Sequence, residues 1–145
     1  MFLRSAQKRL KMATFAVAET NKMQHINKDR IKELRAWAKE NIANTEVYHN
    51  ELKDNIKFTV SGIKEYLNQP HVFYFQKNEL VKEIQNVVKN SDYLGFVNFK
   101  ERKSHIFETK ILGKSSWLIA NEHKGRGIIF YSISDNAKVL TGIKK

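Results

Sequence analysis

The chain has no cysteine, a single proline, six glycines and no apolar run approaching the length of a membrane helix. Each shortage removes a class of chemistry or architecture. Without cysteine there is no disulfide, no thiolate zinc site and no thiol nucleophile. A helix that crosses a membrane needs roughly 20 predominantly apolar residues, and residues 12–18 fall well short of that. The glycines do not gather into a phosphate loop of the Walker or dinucleotide type, so nucleotide-driven chemistry is not expected. His25, His49, His71, His105 and His123 are scattered, and no pair of them stands at metal-ligand spacing. No metal and no other cofactor is therefore expected. Acidic residues are also scarce: 15 Asp and Glu stand against 26 Lys and Arg, a formal net charge of +11.

What the chain does contain is apolar and aromatic mass. Hydrophobic residues make up 41% of the 145, with nine Phe, five Tyr and two Trp. That suffices for one real core and offsets chain entropy. The positive charge bears on association rather than fold. A field of that sign recruits polyanions, nucleic acid first and an anionic membrane second; a merely solvated lysine-rich surface is the plainer alternative.

Near the N-terminus, Arg4, Lys8, Arg9 and Lys11 precede the short stretch 12–18, and Ala16-Val17-Ala18 resembles a signal-peptidase site. The apolar stretch is at the bare minimum for a signal core. Phe2, Ala6, Leu10, Ala13 and Val17 instead stand at helical spacing, which predicts an amphipathic helix and a cytoplasmic protein, with secretion by a signal peptide the minority reading. No stable membrane insertion is expected, and the oligomeric state is not legible.

The chain divides near residue 45, into an N-terminal helical segment (1–45) and the remainder (46–145), together one compact unit. In the first part a second helix is predicted, capped by Asn27 and striped by Ile31, Leu34, Trp37, Ala38 and Ile42. Ile56, Phe58 and Val60 alternate with Lys57 and Thr59, the period of a half-buried strand. Ser61 then reads as the cap of a helix over 62–69. Pro70 suits the first turn of another helix, which Phe73, Lys77, Leu80, Ile84 and Val88 carry to Asn90; extended chain over 71–75 is the alternative. Residues 104–112, 115–122 and 128–134 read as strands, joined through Gly113-Lys114 and the glycine-bearing turn 123–127. Residues 139–143 could add an edge strand. The expected fold is α+β, with N-terminal helices packed on a C-terminal three- to four-stranded antiparallel sheet.

A basic chain with isolated His, Ser and Tyr residues suits metal-free RNA cleavage. There the 2′-hydroxyl is the nucleophile, and the protein supplies a base, an acid and cations for the extra phosphorane charge. His105 alternates along its strand with Ile106, so it would present an imidazole if its sheet face is the open one; an exposed strand histidine without a role is the alternative. At a helix start His71 would stay neutral, because the dipole disfavours imidazolium, or be incidental. Ser132 could bond a phosphate oxygen or orient a base. Lys64 and Lys77 flank the Pro70 corner as phosphate contacts, or as ordinary surface. In Lys124-Gly-Arg-Gly127, flanking glycines would let phosphate approach Arg126 closely for a bidentate grip. Trp37, Trp117 and Phe130 are expected in the core.

The run 58–71, the pair Lys77-Asn78 opening an apolar helix, the strand 129–134 and the preceding Arg35-Ala-Trp-Ala-Lys39 together form a familiar pattern. It is similar to the phage-associated nuclease domains of the barnase–EndoU–colicin–RelE superfamily. These often lie at the C-terminus of MuF-like head-morphogenesis or polyvalent phage proteins. The resemblance covers about residues 28–143 and makes 46–145 a nuclease-type domain. It implies helices on one side of an antiparallel sheet, an active site on the open face, and ribonuclease or toxin activity without a metal. By position it points to Lys64, His71, Lys77, His105 and Ser132. Barnase-like enzymes use a Glu base, for which Glu108 and Glu122 are the candidates. RNA is the partner so implied, and a toxin implies an acidic antitoxin or immunity protein. The other reading is a non-catalytic phage or mobile-element protein that binds nucleic acid or a capsid partner through its basic surface; a membrane-surface module resting on the N-terminal helix is a third.

Overall fold

A computed structural model describes the backbone of residues 16–145 and the side chains of 28–145. Phe2, Ala6, Leu10 and Ala13 of the predicted first helix lie outside the described residues. Residue 27 does not start a helix, because a single helix, α1 (Ala16–Asn41), runs through it. The stripe of Ile31, Leu34, Ala38 and Ile42 is buried as expected from its spacing. Arg30 ties α1 to the next helical layer by two hydrogen bonds of 2.6 Å to Glu79.

The three- to four-stranded antiparallel sheet is corrected by the structure. Six strands form one mixed sheet, in the order β1-β2-β6-β5-β4-β3. They are β1 (Glu46–His49), β2 (Asp54–Lys57), β3 (Asp92–Phe99), β4 (Arg102–Ile111), β5 (Lys114–His123) and β6 (Gly127–Ser134). The last three are the predicted meander. The β1–β2 hairpin then joins through a parallel pairing of Ile56 and Lys57 with Ile128 and Ile129. The strand read over residues 56–60 overlaps β2 at Ile56 and Lys57 only, and the four residues of β1 carry too little periodic signal to reveal the hairpin. β3 is hidden differently. Its glycine interrupts the pattern, but Gly95 sits at a register shift, the backbone device by which a strand absorbs an extra residue.

The expected edge strand at 139–143 is a 3-10 turn (Ala137–Leu140), followed by one isolated bridge between Phe96 and Lys144. The predicted long helix after Pro70 is broken into α3 (Tyr74–Glu79), a 3-10 turn (Leu80–Glu83) and α4 (Ile84–Asn90). Its side-chain spacing survives the break, so Val81, Ile84 and Val88 are still buried.

The helix between β2 and α3, α2 (Val60–Asn68), is capped by Thr59, whose hydroxyl accepts from the Gly62 amide at 3.1 Å. α2 lies directly on β6. A Cβ at Gly62 would collide with the backbone carbonyl of Phe130, so only glycine permits this seat. Behind it, Phe58, Tyr66 and Phe130 pack as tilted rings, with centroids 5.5 Å and 5.7 Å apart.

Lys77 closes the corner between α2 and α3. It is fully buried, and its Nζ donates to the carbonyls of Tyr66 at 2.8 Å and Leu67 at 3.2 Å. The ammonium thus serves carbonyls left open at the end of α2. It also stands 4.5 Å from the centre of the Tyr74 ring. Tyr66 answers by donating its hydroxyl to the Lys77 carbonyl at 2.5 Å. Burial lowers the Lys77 pKa to about 7.

Two outcomes follow from this packing. Gly62→Ala gains about 1 kcal/mol of helix propensity but must push α2 off a rigid carbonyl, an overpacking cost of roughly 1–3 kcal/mol. Urea denaturation is expected to show a net loss, whereas Ser61→Ala, next to it on the exposed side, should stay within about 0.5 kcal/mol of wild type. For Lys77, the unfolded chain holds its proton up to pH 10.5 while the folded chain releases it at about 7. Between those values the unfolded state binds more protons, so stability rises with pH. Lys77→Met should remove that rise, seen as a smaller difference between urea midpoints at pH 7.5 and pH 9.5; an unchanged difference would show that the amine is not desolvated.

Candidate functional site

The α-helices that pack on the sheet, α2 on β6 and α4 on β1 and β4, share one core with one of its faces. Strand alternation therefore divides the sheet residues between that covered face and an open one. Phe107, Leu118, Ala120, Ile128 and Phe130 join the core. Their alternates, including Ser104 and Ile106 on β4, Ile119, Asn121 and His123 on β5, and Val97 and Phe99 on β3, face the other way.

On that open face three hollows run into one another. The first, about 390 Å3, is lined by Val97, Phe99, Ser104, Ile106 and Val139, with Arg102, Asn121 and Tyr131 as the wall shared with the second. The second, about 270 Å3, adds Thr59, Ser61, Gly62, His123 and Arg126. The third shares Thr59, Arg126 and Ile129 and extends to Lys57, Glu46 and Asn44. Together they form a trench across the sheet, with the start of α2 in its wall. The seat of α2 on Phe130 places that helix start, and so its positive dipole end, beside the trench.

The charges along the trench are of one sign at its centre. Arg102 and Arg126 are exposed, and among the described residues no carboxylate forms a salt bridge with either. Lys57 donates its Nζ to the Arg126 carbonyl at 3.1 Å, holding the tip of the turn. Burial first, then Arg102 and Arg126, hold the His123 imidazole below its ordinary pKa. It is therefore neutral at pH 7 and able to accept a proton. Tyr131 reaches the trench through a bulge. The β5–β6 register shifts between Ile119 and Ala120, leaving Tyr131 unpaired and 41% exposed.

The residues singled out from sequence are not brought together. Arg126 is in the trench, and Lys124 is exposed on the same turn. Ser132 is buried on β6 opposite Ile119, next to the first hollow but not among the residues that line it. Lys64 is exposed on α2, and Lys77 is the buried corner lysine described above. His105 lies on the covered face, in register with Ala120. It bridges the Tyr93 hydroxyl at 2.8 Å and the Glu122 carboxylate at 3.0 Å, and is 5% exposed. Burial, then the Glu122 charge, raises the Tyr93 pKa.

His71 precedes α3 instead of starting it. Its Nδ1 accepts from the Phe73 amide, and its Nε2 donates to Ser116 Oγ, both at 2.8 Å. Burial lowers its pKa, and both nitrogens are occupied. Glu108 accepts from the Trp117 indole at 3.2 Å.

The structure brings together five groups that sequence reasoning passed over: Phe99, Arg102, Asn121, His123 and Tyr131. Alternation along β5 placed Asn121 and His123 on one face, and His123 opens the same turn as Arg126. Nothing local showed that Arg102, from the neighbouring hairpin, stands beside them.

Among the described residues, no group of three or more His, Asp or Glu is placed to hold a metal ion. No described helix is long and apolar enough to cross a membrane. No curated protein and no solved structure matches the chain. A family model does, over residues 26–131, from the middle of α1 to the bulged tyrosine, and it takes in every residue that lines the second hollow. The chain belongs to the phage-associated family described as large polyvalent protein-associated domain 3.

Proposed function

We propose that the trench binds RNA and cleaves it without a metal, with His123 as the proton acceptor. The observation that carries this reading is a histidine that lines one hollow together with two guanidinium groups, neither of which has a carboxylate salt-bridge partner among the described residues. The sum of the parts is what phosphodiester transfer needs: a base and fixed positive charge around one phosphate. The likeness to barnase–EndoU–colicin–RelE nucleases, whose site is expected on the open sheet face, supports the same location. The net charge of +11 supports a polyanionic partner.

In the proposed step His123 takes the proton of a 2′-hydroxyl. The 2′-oxygen bonds to phosphorus, the bond to the 5′-oxygen breaks, and that oxygen leaves with a proton from water, while the hydroxide so formed takes back the proton held by His123. Arg102 and Arg126 balance the charge gathering on the phosphoryl oxygens. The products are a 2′,3′-cyclic phosphate and a free 5′-hydroxyl. This assigns the proton transfer to His123 rather than to His105 or His71, whose ring nitrogens are already engaged in buried hydrogen bonds. In a toxin setting, the partner that covers the trench would be an acidic antitoxin.

The test is a labelled RNA oligonucleotide incubated with the purified chain in EDTA from pH 5 to 9. Cleavage leaving a cyclic phosphate is expected. A base below the ordinary imidazole pKa keeps its neutral form to lower pH, so the acid side of the rate profile should turn down below pH 6.5. His123→Ala should lower the rate about 100- to 10,000-fold, and Arg126→Ala should also weaken binding and reduce its salt slope by about 0.7. No cleavage at any pH, with salt-sensitive binding retained, would overturn the enzyme and leave a non-catalytic nucleic-acid-binding module. Loss of both would overturn the site.

A further inference from the structure

We infer that the first hollow of the trench is a nucleobase subsite, so that the substrate is a single strand with at least one unpaired, stacked base. The inference rests on the trench being the nucleic-acid site. Phosphate contacts need only the cations around the second hollow; the first hollow is built differently. Its walls are apolar, Val97, Ile106 and Ile119, and its volume of about 390 Å3 lies in the range of small-molecule sites, roughly 300–1,000 Å3. Two aromatic side chains stand at it, Phe99 65% exposed and Tyr131 41% exposed. Exposed rings of this size forgo burial, and each is placed by a backbone irregularity. Tyr131 is the bulged residue of β6, and Phe99 leads into a hairpin where Lys100 takes a positive φ of 58°.

The floor between the rings is polar at one point. Asn121 is 4% exposed, and Ser104 donates its hydroxyl to the amide oxygen at 2.8 Å. That bond fixes the side chain and leaves the amide NH2 without a partner among the described residues. A base edge carrying a ring nitrogen or carbonyl acceptor satisfies such a donor. Arg102 lines both hollows, so the cations of the second hollow and the rings of the first adjoin along the trench. A duplex, whose bases are stacked on one another, cannot offer a base to this hollow. Stacking on exposed aromatics beside a basic groove is how single strands are held without strict sequence preference.

The experiment compares three labelled ligands at one salt concentration: a single-stranded RNA, an RNA duplex, and a strand of the same length with abasic sites throughout. They are bound to the wild type, Phe99→Ala, Tyr131→Ala and Arg126→Ala, using His123→Ala as background in each so that cleavage does not intervene. The single strand should bind tightest. Phe99→Ala and Tyr131→Ala should each weaken it roughly 5- to 150-fold while leaving the abasic strand unchanged, whereas Arg126→Ala should weaken both. Both aromatic positions are exposed, so loss of folding is not the expected cause, and an unchanged urea midpoint verifies it. Equal affinity for the abasic strand and the base-bearing strand would overturn the base subsite and leave the phosphate site standing. Failure of every ligand to bind would instead overturn the nucleic-acid reading on which it rests.

Discussion

With no Cβ at residue 62, the first turn of α2 rests on the carbonyl of Phe130, and much of the remaining structure follows from that contact. The close seat brings Tyr66 and Phe58 onto the Phe130 ring and closes the core between the helices and β6. It sets where α2 ends, and hence where Lys77 must enter to satisfy the carbonyls of Tyr66 and Leu67. On the other side it places Thr59, Ser61 and Gly62 in the wall of a trench that β4, β5 and β6 alone would leave open. A bulkier residue would separate helix from sheet and open both sites together.

Buried polar groups in this fold are spent on architecture. His49 bridges the Ser91 carbonyl and the Leu52 amide, His71 joins the Pro70 loop to Ser116, and His105 ties β3 to β5 through Tyr93 and Glu122. A buried imidazole with both nitrogens engaged is stable but has nothing to offer a ligand. His123 differs, since it lies half-buried on the open face with Arg102 and Arg126 as electrostatic neighbours. The same force, desolvation, lowers the pKa of His71, His123 and Lys77. Only at His123 does it act on a group facing a basic trench.

Legibility in the sequence varied with the length of each periodic signal. The buried stripe of α1 and the strands of the meander, each eight to ten residues long, were readable from alternation or helical spacing. Of the four-residue strands, β1 was not, and β2 was read only as an alternation over residues 56–60 that overshoots it; their hairpin turned an antiparallel sheet into a mixed one through the β2–β6 pairing. Val60 continues the alternation of Ile56 and Phe58, yet it begins a helix because Thr59 caps there. At the site, Arg126 was legible because its flanking glycines are local. The face borne by His105 was not, because alternation gives two faces without saying which one the helices cover.

The sequence by itself determined the α+β composition, the positive field, the absence of thiol chemistry and the apolar stripes that make the core. These depend on residue type and on spacing within one element. Only the tertiary structure decided which histidine faces the trench, that Lys77 is an internal cap rather than a surface cation, and that Arg102 and Arg126 meet across two hairpins. Those outcomes depend on strand order, on register and on one helix pressed against one carbonyl. They are relations between residues about 10 to 70 positions apart, which no local pattern encodes.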